Sequence, residues 1–177
     1  HNEASMARVL AHCRTVSKNP IGIQLGHAGR KASTQVPWEG REALGAGESP
    51  WPTLAPSPLS FSETWHTPKE MSKEEILQTV DAFVASAERA RRIGFDVLEL
   101  HSAHGYLLHQ FLSPLSNRRS DEYGKERMKF ALQVARAVRE FNRVVKTGVV
   151  FGSVTSDMAP ALIDRYDLLR GVKKLGT

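Results

Sequence analysis

The sequence predicts an α/β fold with parallel strands, and three observations carry that expectation. Two short apolar runs, Ile21 to Leu25 and Phe95 to Leu100, have the length and composition of buried strands. Residues 72–93 between them carry a strong helical pattern that reaches the second run after almost no loop. A strand, a crossover helix and a strand make a βαβ unit with parallel strands. The second run also stops abruptly in His101, His104, Gly105 and Tyr106. Polar chemistry at a strand's C-terminal end resembles the mouth of a (β/α)8 barrel, where strand ends and βα loops deliver active-site side chains. The expected architecture is therefore a partial (β/α)8 TIM barrel in one domain, residues 1–177, with sequential strand order and right-handed crossovers.

The elements follow in order. Residues 3–17 read as a helix, with Ala4, Met6, Ala7, Leu10, Ala11 and Val16 in a loose stripe, closed by Asn19-Pro20. Residues 21–25 follow as a strand. Residues 26–70 lack clear periodicity and are punctuated by Pro37, Pro50, Pro52, Pro56, Pro58 and Pro68. Loops of this length in a compact domain are functional or disordered. Trp38, Trp51, Phe61 and Trp65 argue for packing onto the barrel mouth. Ser72 with Glu75 forms a capping box for helix 72–93, and Gly94 ends it. Residues 126–141 give a third helix, Val144 to Val154 a third strand, and 160–175 a final helix. No internal repeat is present beyond this alternation.

Composition narrows the function classes. Hydrophobic content of 41% supports a core rather than global disorder. No apolar run approaches the roughly 20 residues that span a bilayer, and no signal peptide is visible. The net charge of +5 comes from dispersed residues such as Arg89, Arg91, Arg92, Arg118, Arg119, Lys173 and Lys174. Without a nucleic-acid motif they read as solvated faces, so no nucleic-acid partner is expected, although a basic site also suits an anionic cofactor. The single Cys13 excludes an intrachain disulfide, and a reducing, cytoplasmic location is the expectation. A complete barrel needs about 250 residues. The 177 residues, without an initiator methionine, are thus expected to be a segment of something longer.

The stretch from Val97 to Gly124 resembles the Old Yellow Enzyme family of flavin-dependent ene reductases. The likeness lies in His101-Ser102-Ala103-His104-Gly105-Tyr106, Leu108-His109-Gln110-Phe111-Leu112-Ser113-Pro114 and Asn117-Arg118-Arg119-Ser120-Asp121-Glu122-Tyr123-Gly124. A second likeness, Ile21-Gly22-Ile23-Gln24-Leu25-Gly26-His27-Ala28-Gly29-Arg30-Lys31-Ala32, is similar to the third strand of those barrels. The resemblance covers roughly residues 5–140 and is weak over 141–177. It implies FMN and NADPH or NADH as cofactors, an enone or enal substrate, and residues 26–70 as the excursion that walls the active site. It implies about three central βα units, with the first two strands and the last three outside the chain.

The resemblance also assigns roles. His101 and His104 would donate hydrogen bonds to the carbonyl oxygen of an activated alkene, stabilising the enolate-like charge. The plainer alternative is a pair of ordinary loop histidines. Metal binding is disfavoured, because the His-x-x-His spacing is not that of a helical zinc site and no carboxylate or cysteine completes one. Tyr106 is the candidate proton donor to the α-carbon, since a phenol is protonated at neutral pH; otherwise it is a packed loop tyrosine. Gln24 suits the pyrimidine edge of a flavin, because an amide both donates and accepts; otherwise it is a polar strand-end residue. His27 and Arg30 receive no catalytic role, and His109 reads as structural. Arg118, Arg119 and Asp121 read as a surface loop network. The chain departs from the family in a short link from Tyr123-Gly124 to Arg127, and in Gly152 where the family carries a flavin-contacting arginine.

The function implied is an FMN-dependent NAD(P)H oxidoreductase that reduces activated C=C bonds. Two alternatives stand beside it: a non-catalytic remnant or assembly subunit, and a non-redox isomerase that uses the same pocket. From the 177 residues alone the expectation is weak FMN binding and little turnover, with self-association through unpaired sheet edges.

Overall fold

The computed structural model describes residues 2–141 and 146–150. Its centre is a three-stranded parallel sheet. Helix α1 (Asn2–Val16) precedes strand β1 (Gly22–Leu25). After a long excursion come α2 (Lys73–Ile93) and β4 (Val97–His101). Two short helices, α3 (Leu107–Leu112) and α4 (Glu122–Lys125), lead into α5 (Lys129–Phe141) and β5 (Lys146–Val150). The sheet order is β1-β4-β5, and both pairings are parallel. This is the expected sequential, parallel arrangement. The expected helix over 160–175, the strand residues beyond Val150 and the Gly152 position lie outside the described residues.

Strand alternation divides the sheet into two faces. Leu98 and Leu100 are fully buried against Ile76, Phe83 and Ala87 of α2 and Phe130, Val134 and Val138 of α5. Ile23 and Leu25 of β1 pack against the same core. Val97, Glu99 and His101 therefore turn to the other face, as do their register partners Gly22 and Gln24 on β1. The helix-facing side is the apolar core, and the opposite face ends in the two strand termini that carry the candidate site.

Helix α2 forms where its pattern predicts. Ser72 accepts from the Glu75 backbone N–H at 3.1 Å, and the Glu75 carboxylate accepts from the Ser72 N–H at 2.8 Å. Such a cap is worth about 1 kcal/mol. Gly94 closes the helix by donating to the Arg91 carbonyl.

The excursion is ordered, although it shows no periodicity. It holds three 3-10 turns, at Gly29–Lys31, Pro37–Glu39 and Ala46–Glu48. It also holds two short strands, β2 (Leu54–Ala55) and β3 (Lys69–Glu70), which pair parallel. The surface network expected at Arg118, Arg119 and Asp121 needs correction. The Arg119 side chain is only 6% exposed. It donates to Asp121 at 2.6 Å, to the Met71 carbonyl at 2.6 Å and to the Pro56 carbonyl at 3.2 Å. Arg119 thus pins the base of the excursion to the loop before α4, and only Arg118 stays exposed. Helix α5 starts at Lys129, three residues later than its sequence pattern suggests. The preceding residues are spent on α4, which Asp121 caps by accepting from the Tyr123 N–H at 3.1 Å.

Candidate active site

The parallel register brings the C-terminal ends of β1 and β4 together. Gln24 lies opposite Glu99, and its side-chain amide donates to the Glu99 carboxylate. Just past the end of β1 comes Gly26, where a Cβ would stand 3.3 Å from the Cβ of His101. The small residue lets the His101 imidazole sit beside the β1 chain.

His101 is the last residue of β4 and is 5% exposed. Its Nδ1 is buried and meets no hydrogen-bond partner among the described residues. The chain then turns tightly. His104 and Gly105 both take left-handed backbone angles, φ 54° and 73°, and the Tyr106 N–H donates to the Ala103 carbonyl at 3.1 Å. Two positive φ values in one turn favour glycine at the second position and cost the His104 residue about 1 kcal/mol. The turn folds both side chains back onto His101. The His104 ring lies 5.1 Å from it, tilted, and the Tyr106 ring lies 5.0 Å away, edge-on. Burial, reinforced by the neighbouring His104, holds the His101 imidazole below its ordinary pKa, against a smaller upward pull from Glu99. His101 is therefore neutral at pH 7 and carries one N–H donor.

The loop after β1 braces this turn. Lys31 donates to the His104 carbonyl at 3.1 Å, and the Leu107 N–H donates to the His27 carbonyl at 2.8 Å. Buried Gln110 bridges the two loops, its amide donating to the Gly105 carbonyl at 2.7 Å and to the Ala28 carbonyl at 3.2 Å. His109 accepts from the Gly105 N–H at 2.8 Å, and His27 accepts from the Gly29 N–H at 3.0 Å. Burial lowers the pKa of both, so each stays a neutral acceptor. Arg30 is tied to the excursion through the Leu59 and Ser60 carbonyls, at 3.1 and 3.0 Å.

The structure thus gathers His101, His104 and Tyr106 into one cluster, with Gln24 one strand away at the same end of the sheet. A cleft of about 340 Å³ is lined by the run Gln24 to His27 and, from α2, by Thr79, Ala82, Phe83 and Ser86. It does not reach the cluster, so the concavity and the chemistry are separate. Lys31 and Gln110 have no assigned role in the sequence reading. Gln110 carries a visible signal, a lone amide inside the apolar run Leu107 to Leu112. Lys31 is distinguished only by its three-dimensional neighbours.

Gly29 provides a check on this bracing. Its φ is +61°, and a Cβ there would come within 2.4 Å of the Gln110 amide. Gly29→Ala is expected to cost about 2 kcal/mol from the combined clash and backbone strain. The midpoint of urea unfolding reads that cost.

The sequence model of the NADH:flavin oxidoreductase / NADH oxidase family matches residues 12–159. The chain belongs to this family. An NADPH dehydrogenase of Geobacillus thermodenitrificans is 45% identical over 159 residues, which are 88% of this chain and 41% of that protein. Among solved structures, morphinone reductase in complex with tetrahydroNAD superposes with a TM-score of 0.72 at 28% identity, over 96% of this chain and 51% of that one. An Old Yellow Enzyme from Pichia superposes with a TM-score of 0.62 at 34% identity, over 75% of this chain and 35% of that one. This chain therefore spans about two fifths of the length of the Geobacillus relative. Family members are flavin-dependent oxidoreductases with TIM-barrel folds, and they work with FMN and a nicotinamide nucleotide. The three parallel strands described here are a part of that barrel.

Proposed function

We propose that this protein is an FMN-dependent NAD(P)H oxidoreductase that reduces the activated C=C bond of α,β-unsaturated carbonyl compounds. His101, His104 and Tyr106 would handle the substrate. The observation that carries the reading is the buried His101, whose Nδ1 meets no partner among the described residues while its ring contacts both His104 and Tyr106. An unpartnered buried polar atom costs about 1–3 kcal/mol, a strain that a ligand hydrogen bond relieves.

The residues present fit a flavin. The Gln24 and Glu99 side chains are polar neighbours on the face that ends in the cluster. The Gln24 amide oxygen accepts from no group among the described residues and would take a donor on the pyrimidine edge. A bound FMN would supply the hydride-transfer chemistry between NAD(P)H and the substrate. The chain's own side chains orient and polarise. Imidazole donors of His101 and His104 hold the carbonyl oxygen and stabilise the negative charge that develops there. The Tyr106 hydroxyl gives its proton to the α-carbon.

The test is an anaerobic titration of the purified protein with FMN and then NADPH. The expected result is a yellow protein that bleaches with NADPH and regains colour with cyclohexenone. A folded protein that binds no FMN at micromolar concentration would overturn the cofactor assignment and favour a remnant or a non-redox isomerase. Bleaching without recovery by cyclohexenone would remove the enone assignment.

A further inference from the structure

We propose that Lys31 is a specificity-determining residue that selects enone substrates bearing a carboxylate. The inference deepens the function proposed above and rests on the His101–His104–Tyr106 cluster being the substrate site. Lys31 ends the 3-10 turn after β1, and its aliphatic stem runs close to Gly105, where a Cβ would stand 3.5 Å from the Lys31 Cδ. Its ammonium lies 4.7 Å from the centre of the Phe61 ring and 5.4 Å from that of Tyr106. One ammonium hydrogen goes to the His104 carbonyl, and the other two meet no acceptor among the described residues.

The charge around Lys31 is uncompensated. Arg14, Lys69, Lys73, Arg92 and Arg119 each pair with a carboxylate. Lys31 and its neighbour Arg30 pair with none among the described residues. Arg30 uses Nη1 alone on the Leu59 and Ser60 carbonyls, and both acceptors are neutral. The neighbouring imidazoles, His104 and His109, carry no negative charge in either state. Burial and the like charge of Arg30 both press on the Lys31 ammonium, lowering its pKa. An anion placed here relieves that repulsion.

A carboxylate is the class that fits. Two flanking rings give the ammonium apolar walls beside the turn that presents His104. Because the ammonium is bonded to the His104 carbonyl and lies 5.4 Å from the Tyr106 ring, a carboxylate carried by the enone would meet Lys31 while its ketone oxygen meets the histidines. A charge-assisted hydrogen bond in such a half-buried place is worth about 1.5 kcal/mol, or roughly tenfold in affinity.

The test uses β-acetylacrylate, an enone that carries a carboxylate, and its uncharged methyl ester. Equilibrium binding of both to the purified protein is measured by calorimetry, and KM and kcat are measured with FMN and NADPH. The expected result is acid binding about tenfold tighter than ester binding. Lys31→Met brings the two to parity, with the loss in KM rather than kcat, and Lys31→Arg keeps the preference. Equal affinity for acid and ester in the parent protein overturns the inference. So does a Lys31→Met variant that weakens both ligands alike, because that is the signature of a bracing role. The binding arm needs neither flavin nor turnover. A preserved acid preference without reduction of either compound would sink the proposed reaction and leave the carboxylate subsite standing.

Discussion

Replacing Arg119 with methionine is expected to cost roughly 3 kcal/mol of folding stability, the scale seen when one partner of a buried ion pair is removed. Three losses combine. The Asp121 carboxylate loses the guanidinium that holds it at 2.6 Å. The Met71 and Pro56 carbonyls lose their donor, and Met71 itself is buried in the core. Asp121 must still cap α4, so its position is disturbed while its role remains. The pH dependence has a definite sign. The Arg119 hydrogen bond depresses the Asp121 pKa below its ordinary value, and backbone N–H donors at Gly124 and Tyr123 add to this. A depressed carboxylate contributes stability that is present above its unfolded pKa of about 3.9 and is lost as pH falls through the folded value. The parent protein should therefore lose stability below about pH 4 more steeply than Arg119→Met does. Urea unfolding of both proteins at pH 7 and pH 3 measures both effects. A variant within 1 kcal/mol of the parent at pH 7, well short of the buried-pair range, would show that Arg119 does not anchor the excursion.

Arg119 also illustrates how far this sequence could be read. The strand from Val97 to His101, helix α2 and their parallel relation to β1 follow from local pattern, because burial on one face imposes a period on the residues. The excursion has no such period. Its order comes from contacts between residues far apart in sequence, such as the Met71 and Pro56 carbonyls on Arg119 and the Trp51 N–H on buried Ser33. A charged loop residue looks solvated until those partners are located. Helix α3 is hidden for a related reason. Its six residues are too few to establish a helical period, and five of them are buried. The candidate site divides the same way. His101, His104 and Tyr106 are visible as polar residues at a strand's end. Gln24 is visible too, but its bond to Glu99 is set by strand register. Lys31 and Gln110 act across loops more than 70 residues apart; Gln110 stands out as a lone amide in an apolar run, but no linear pattern marks Lys31 or names the partners of either.

Tyr106→Phe is expected to lower the rate of enone reduction by a factor of about 10² to 10⁴, the range associated with a positioned general acid. NADPH-driven bleaching of the flavin should stay at the parent rate, because the proton is needed only at the substrate's α-carbon. The substitution suits the question because the backbone at this position is independently secured. The Tyr106 N–H donates to the Ala103 carbonyl, and its own carbonyl accepts from the Gln110 N–H at 2.8 Å. Its ring packs edge-on against His101 at 5.0 Å, a contact that phenylalanine preserves. Removing the hydroxyl thus leaves the turn, the rings and the imidazole donors in place and deletes one proton. The expected signature is a split between half-reactions: fast bleaching, slow recovery with cyclohexenone. The solvent deuterium isotope effect on recovery should rise in the variant as protonation from water becomes limiting. Equal loss in both half-reactions would mean that Tyr106 shapes the flavin's surroundings instead. An unchanged recovery rate would assign the proton to another donor, and would leave His101 and His104 as the only part of the cluster that acts on the substrate.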